Sequence, residues 1–244
     1  VGRGGTGEDG YATLTFDNAI IKSATKKTYS NYAGLNISGA QRVDGGATPT
    51  KYDGSVKVNA NSNIEVDYIY VRHEMVVEGT VTVPQGIVVA GRPASESTVL
   101  NEETSDYMNA TATVVVKEGA TLNVTKGHPQ TGLGFLEGSD EQGLGVMEVY
   151  GTFVNDGDFI VRETGTMRVE GAVVKIGDAG TEKRLLNNGN IYIKGKSTFN
   201  AVAKQGTNKP IIISDAELDS NTRWIGTYST VTFEGENTVV GSDF

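Results

Sequence analysis

The sequence predicts an all-β chain that coils as a solenoid of short strands, and three spacings support this prediction. Segment 155–161 returns as segment 187–193, at a spacing of 32 residues. Segment 114–124 matches the same block at a spacing of 45, and segment 211–220 matches segment 14–23 at a spacing of 197. Strands this short cannot bury an apolar face alone, so the copies must stack and share one core.

The composition predicts the same class. The 244 residues include 32 Gly and only 5 Pro, which suits many tight turns because Gly reaches positive φ without steric cost. Hydrophobic alternation recurs along the chain, whereas no window keeps the i, i+3, i+4, i+7 spacing of an amphipathic helix. A solenoid grows by adding turns, so we expect one domain over residues 11–244, preceded by a flexible Gly-rich lead over residues 1–10.

The alternation predicts which side chains face the core. A strand period of two sends Phe159 and Val161 to one side of their strand and Ile160 to the other. The aligned segments repeat this choice of faces. We therefore expect Val116, Val161 and Ile193 to occupy one inward stack.

The spacings also predict the length of the coil. A spacing of 45 is two turns of about 22 residues, 197 is about nine such turns, and 32 is one turn with an insertion at 177–184. About ten turns stacked at about 4.8 Å each would make a rod roughly 50 Å long. The polar segments 39–54, 91–110 and 126–145 are expected to leave the rod as protruding loops.

Several function classes are excluded or disfavoured by composition. The lack of cysteine excludes disulfides and thiol catalysis. The net charge of -9 and the lack of a basic stripe argue against nucleic-acid binding. No apolar run reaches the length of about 18 residues that a transmembrane helix needs. Because the chain opens with Val1-Gly2-Arg3, we expect a signal peptide to have been removed.

The densest acidic turn holds Asp156 and Asp158, which are candidate Ca²⁺ ligands. The equivalent positions in the next copy are Asn188 and Asn190, which carry no charge. Asn and Asp both suit a turn, because either side chain can bond its own backbone. A plain turn and a Ca²⁺ site are therefore both open, and no other cofactor is expected.

Four aromatic residues are candidate ligand-binding residues, because they are expected near or on the outer face: Tyr68, Tyr70, Tyr192 and Trp224. Flat aromatic faces on a rigid sheet can stack on sugar rings. Outward tyrosines also serve cross-strand packing, which needs no ligand. Adjacency of these residues on one sheet would favour ligand binding over simple packing.

Segments 13–23 and 149–157 resemble secreted right-handed parallel β-helix proteins of gut and soil bacteria, some of which are adhesin-like or carbohydrate-binding. The resemblance implies a single-stranded right-handed parallel β-helix, secreted or at the bacterial cell surface. Polysaccharide lyases and polygalacturonases look similar in fold. Their chemistry needs clustered carboxylates, or Ca²⁺-binding acids beside a base, and the sequence shows no such cluster.

The expected function is therefore non-catalytic. The first expectation is a structural or adhesin-like β-helix that presents its loops to an extracellular glycan or a host or surface protein. The alternative is a polysaccharide-binding module for a uronate-type glycan, with Ca²⁺ assistance possible in principle. A polysaccharide lyase or hydrolase is the third and weakest expectation.

Overall fold

The structure, a computed structural model, describes residues 10–22, 34–39, 52–125, 133–136, 143–177, 185–202, 211–218, 223–225 and 231–234. These residues form twenty-two β-strands and no helix. The first eleven are β1 (Gly10–Phe16), β2 (Ile20–Ile21), β3 (Gly34–Ile37), β4 (Tyr52–Val58), β5 (Asn63–Glu65), β6 (Tyr68–Val71), β7 (Glu74–Val77), β8 (Thr80–Thr82), β9 (Gly86–Val89), β10 (Thr111–Val116) and β11 (Thr121–Val124). The others are β12 (Leu133–Leu136), β13 (Leu144–Val149), β14 (Thr152–Asn155), β15 (Asp158–Val161), β16 (Gly165–Glu170), β17 (Val173–Ile176), β18 (Leu185–Asn187), β19 (Asn190–Val202), β20 (Ile211–Leu218), β21 (Arg223–Ile225) and β22 (Val231–Glu234).

The strands fall into three parallel stacks. Stack A runs β1-β4-β7-β10-β13-β16-β19-β20-β22, and stack B runs β2-β5-β8-β11-β14-β17-β19-β21. Stack C runs β3-β6-β9-β12-β15-β18. The long strand β19 belongs to stack A in its first half and to stack B in its second.

The order of the stacks makes the architecture solenoid-like. The chain visits A, then B, then C, and returns to A one strand spacing further on, about 4.8 Å away. Each strand up to β16 pairs with the strands three places before and after it in the chain, wherever both are present, and β17 pairs with the second half of β19. The predicted all-β class with parallel stacking of repeats is therefore confirmed.

Alternating side chains from the three stacks fill one apolar core. Phe159 and Val161 are fully buried and Ile160 between them is half-buried, as the strand period predicted. Phe153 of stack B meets Phe159 of stack C edge to face, with ring centroids 5.3 Å apart. The largest fully buried side chains are Phe153, Phe159, Ile37, Ile64, Ile69, Met75, Ile87, Leu122, Met147, Met167 and Ile176.

The predicted inward stack of three residues is wrong in one member. Val116 and Ile193 lie in one row of stack A, joined through the strands β13 and β16. Val161 is equally buried but lies in stack C, in register with Leu136 and Asn187. The spacings of 32 and 45 matched strands of different stacks, because all three stacks share the same alternation.

The spacing of 197 is confirmed in register. Leu14 and Ile211 lie in the same row of stack A. Seven pairings between neighbouring strands separate the two residues, whereas the spacing predicted about nine turns. A step takes 20 residues between Met147 and Met167 but 42 between Leu14 and Val56, because some coils carry long connections.

The predicted loops have different outcomes. Segment 91–110 contains no strand and is a loop as predicted, with an isolated antiparallel bridge between Leu100 and Tyr107. Segment 126–145 was wrongly taken as a loop throughout, because β12 lies within it and pairs with β9 and β15. The predicted loop 39–54 is wrong at its end, because residues 52–54 belong to β4. Residues 40–51 and 178–184 of the other predicted excursions lie outside the described residues.

The first described strand, β1, begins at Gly10, next to the expected start of the coil at residue 11. Residues 1–9 of the predicted lead lie outside the described residues. In the described part of the chain, no helix has the length and apolar character needed to cross a membrane.

Glycines form the corner between stack A and stack B where one coil packs on the next. A Cβ on Gly151 would lie 2.3 Å from the Lys117 carbonyl oxygen and 2.5 Å from that of Ala120. A Cβ on Gly79 would meet the Ser62 carbonyl oxygen at 2.5 Å. These corners therefore have no room for a side chain.

Candidate functional site

Two of the predicted aromatic residues lie side by side on the outer face of stack C. Tyr68 and Tyr70 alternate along β6 with Ile69 and Val71, which are fully buried. The two tyrosine rings are half-buried, with centroids 6.4 Å apart and planes inclined by 33°. The prediction that both point outward is confirmed.

The strands on either side of β6 carry different residues beside the two rings. Tyr68 is in register with Gly34 on β3 and with Gly86 on β9, so neither neighbouring strand places a side chain beside it. Tyr70 is in register with Asn36 and Val88. The result is a cavity of about 340 Å³, which we name the tyrosine cleft, lined by Gly34, Leu35, Asn36, Tyr68, Tyr70 and Arg72.

Arg72 adds a fixed positive charge to the tyrosine cleft. Its guanidinium carbon lies 4.3 Å from the centroid of the Tyr70 ring, and its Nη1 donates a hydrogen bond to the Gly91 carbonyl oxygen at 3.1 Å. Burial lowers the pKa of the Arg72 guanidinium from its ordinary value, but an arginine stays charged at neutral pH. Arg72 was not predicted as a site residue, although the outward spacing of two residues from Tyr68 to Tyr70 reaches it next.

Tyr192 lies on a different face, the outer face of stack A, where the structure brings it near Tyr150. The cavity there has a volume of about 290 Å³ and is lined by Tyr150, Arg168, Val169, Glu170, Tyr192 and Lys194. Glu148 accepts hydrogen bonds from the Tyr150 hydroxyl at 3.4 Å and from Arg168 at 3.5 Å. Burial, and then the negative charge of Glu148, raise the pKa of the Tyr150 phenol. Because Glu148 already balances Arg168, this surface offers less uncompensated charge than the tyrosine cleft.

Trp224 lies in the third stack. Its backbone pairs with Ala201, a fully buried position of stack B. The Trp224 side chain lies outside the described part of the chain. The four predicted aromatic residues are therefore spread over three stacks, and only Tyr68 and Tyr70 are adjacent.

The two candidate metal ligands lie at the turn from β14 to β15, and both are half-buried. The neighbouring Asn155 is fully buried, and its Nδ2 donates to the carbonyl oxygens of Gly157 at 2.7 Å and Asp158 at 3.2 Å. The buried amide of Asn155 thus ties this turn to its own backbone. A plain turn is the alternative to a Ca²⁺ site for Asp156 and Asp158. Within the described residues, no group of three or more His, Cys, Asp or Glu side chains is placed to hold a metal ion.

Asp158 shares the outer face of stack C with the tyrosine cleft. It pairs with Leu133, and the register of β12 with β9 places Leu133 in the row of Gly86 and Tyr68. Three strand spacings separate Asp158 from Tyr68, which is roughly 14 Å along the stack. Asp158 therefore lies too far from the rings to share a small ligand with them.

Comparisons of the chain with protein-family models, with curated proteins and with solved structures found no match. A function for the tyrosine cleft must therefore be argued from its own chemistry. The cleft combines two aromatic faces, a fixed guanidinium and the amide of Asn36 on one rigid surface. This combination suits a flat ligand with an apolar face and a polar edge.

Proposed function

We propose that this chain is a non-catalytic binding module, secreted or held at a bacterial cell surface, whose tyrosine cleft binds a polysaccharide. The adjacent rings of Tyr68 and Tyr70 on the outer face of stack C are the observation that carries this proposal. Secretion and bacterial origin are supported by the resemblance of segments 13–23 and 149–157 to secreted β-helix repeats.

The scaffold proposed for this module is a single-stranded right-handed parallel β-helix. Crossover connections between parallel strands are almost always right-handed, which supports this handedness for the A, B, C coil. Stack A contains nine strands among the described residues, which supports about nine turns where the spacings alone predicted about ten. Such a stack holds its outer face rigidly, because each strand is hydrogen-bonded on both sides.

Sugar binding suits the cleft for physical reasons. A pyranose ring has an apolar C–H face that packs on an aromatic ring and a polar rim that needs hydrogen-bond partners. The volume of about 340 Å³ falls within the range of small-molecule sites. The β6 backbone fixes the Cβ positions of Tyr68 and Tyr70 before any ligand arrives, and this preorganisation reduces the entropy lost on binding.

We expect Tyr68→Ala and Tyr70→Ala each to weaken glycan binding by about 1 kcal/mol, or about fivefold in Kd, because each removes an aromatic face. A glycan array with the unchanged protein identifies a ligand, and calorimetry with that ligand measures the loss. Tyr192→Ala is the matched control, since Tyr192 lies on the outer face of stack A. Equal losses from all three changes, or no loss from the first two, would contradict the assignment to the tyrosine cleft.

We propose that Ca²⁺ is not required for this binding. The double variant Asp156→Asn with Asp158→Asn is expected to keep the wild-type Kd, because Asn supports the same turn geometry without the charge that Ca²⁺ binding needs. Calorimetry in EDTA and in Ca²⁺ checks this for both proteins. If the purified protein depolymerised a uronate polymer and the double variant did not, the chain would be a lyase or hydrolase instead.

A second candidate function is a structural or adhesin-like rod that presents its loops to a host or surface protein. The observation that favours it is the loop 91–110, which is tied down at its base by a hydrogen bond from the Ala110 amide to the Arg92 carbonyl at 2.8 Å. At its far end the loop exposes Leu100 and Met108, by 50% and 46%. Capture of a protein partner that persists in Tyr68→Ala but is lost in Leu100→Ser would favour this candidate over glycan binding.

A further inference from the structure

The charge of Arg72 bears on which class of polysaccharide would fit the tyrosine cleft. Arg72 is held by the Tyr70 ring and by the Gly91 carbonyl, and neither contact neutralises it. Within the described part of the chain, no carboxylate forms an ion pair with Arg72, and none of the six residues that line the tyrosine cleft is acidic. The cleft therefore carries a fixed charge without a counter-charge in contact.

The nearest charged neighbours do not supply that counter-charge. Glu96 lies close enough to Arg72 to influence it electrostatically, but its carboxylate is bound to Arg92 at 2.7 Å. Arg92 and Glu96 largely cancel one another as seen from the cleft. A negative group on a ligand would thus be attracted to Arg72 without competition from a carboxylate already paired with it.

The geometry also separates the roles of the two tyrosines. The Arg72 guanidinium covers one face of the Tyr70 ring, whereas Tyr68 stands between two glycine positions. Tyr68 and Arg72 are four residues apart, which is about 13 Å along an extended strand, and Tyr70 lies between them. A polysaccharide that stacks one sugar ring on Tyr68 and continues along β6 therefore brings the carboxylate of a following sugar near the guanidinium.

We propose, resting on the function above, that the ligand of the tyrosine cleft is an acidic polysaccharide and that Arg72 pairs directly with a carboxylate of its uronate residues. The planar guanidinium presents several N–H donors in a fixed fork that matches the two oxygens of a carboxylate. Gly91 uses one Arg72 nitrogen and leaves the others available to a ligand. The carboxylate is recognised without a bridging Ca²⁺ ion.

The test compares oligogalacturonate with the same oligomer methyl-esterified on every carboxyl, both in EDTA. The wild-type protein is expected to bind the acid form about tenfold more tightly, and to lose this preference as NaCl screens the charge. Arg72→Gln is expected to bind both forms equally and weakly. Arg72→Lys keeps the charge but not the fork, so it should retain a smaller preference for the acid form.

Further measurements test whether the oligomers bind in the cleft, whether the variants fold and whether a sulfate can replace the carboxylate. Gly34→Leu places a side chain in the cleft while leaving Arg72 unchanged, and the backbone tolerates it, because a Cβ there meets only the Tyr68 carbonyl oxygen at 3.7 Å. This variant should bind neither the acid form nor the esterified form of the oligomer. Thermal melting of every variant identifies any that fail to fold, and dextran sulfate replaces the carboxylate by a sulfate ester in a parallel titration.

Each remaining outcome is decisive. An undiminished preference for the acid form in folded Arg72→Gln overturns the role of Arg72, and equal affinity for dextran sulfate overturns the assignment to carboxylates. Binding of both oligomers with no preference overturns the inference but leaves the proposed polysaccharide binding intact. If no polysaccharide bound at all, the proposed function and the inference would both be wrong.

Discussion

Val161→Asp is expected to unfold several adjacent coils. Val161 is 0% exposed and lies in stack C in register with Leu136 and Asn187. Burying an unpaired carboxylate among aliphatic groups costs several kcal/mol, and a stacked core does not let the side chain rotate into water. In a solenoid each coil is stabilised by its neighbours, so loss of one coil weakens the next. Circular dichroism during heating should show a much lower Tm than that of the unchanged protein.

The matched control for this change is Ile160→Asp. Ile160 is the next residue on β15, and its side chain is half-buried on the outer face. A carboxylate there can reach water, so we expect only a small decrease in Tm. Equal losses in the two variants, or a wild-type melting curve for Val161→Asp, would contradict the inward assignment of Val161.

Gly151→Ala is expected to lower the free energy of unfolding by about 3 kcal/mol, the upper end of the usual cost of overpacking. The added Cβ would fall 2.3 Å from the Lys117 carbonyl oxygen and 2.5 Å from the Ala120 carbonyl oxygen. Both atoms are backbone of the preceding corner, so no flexible side chain can move aside. Two coils must separate at this corner. Urea denaturation followed by circular dichroism measures the effect.

Gly119→Ala is the control that separates lack of space from backbone strain. A Cβ at Gly119 would meet nothing within 4 Å, but its φ of +77° is unfavourable for any residue with a Cβ. The expected cost is about 1 kcal/mol, from the left-handed backbone alone. A larger loss from Gly119→Ala than from Gly151→Ala would show that conformation and not close packing limits these corners.

The inward and outward faces of the strands could be predicted from the sequence. Phe159 and Val161 are buried, and Tyr68 and Tyr70 point outward, because the period of two is a property of every extended backbone. Two of the six residues that line the tyrosine cleft were therefore expected on the outer face. Arg72 was missed, although it continues the same outward spacing, because β6 ends one residue before it.

The partners of each strand could not be predicted in the same way. Tyr192 was grouped with Tyr68 and Tyr70 but lies on stack A, where it lines a cavity with Tyr150, a residue that the sequence did not single out. The Gly-rich segment 126–145 looked like a loop, yet it supplies β12 to stack C. Weakly apolar segments become strands when the ladders on both sides leave a place for them.

By itself the sequence determined that this chain is all-β, that its strands alternate between core and surface, and that residues 14 and 211 share a row. These are consequences of local periodicity. Only the tertiary structure decided which of the three stacks each strand joins, and so which outward side chains meet in the tyrosine cleft. The physical reason is that steps of 20 and of 42 residues both complete one coil, while any strand with the same alternation fits any stack.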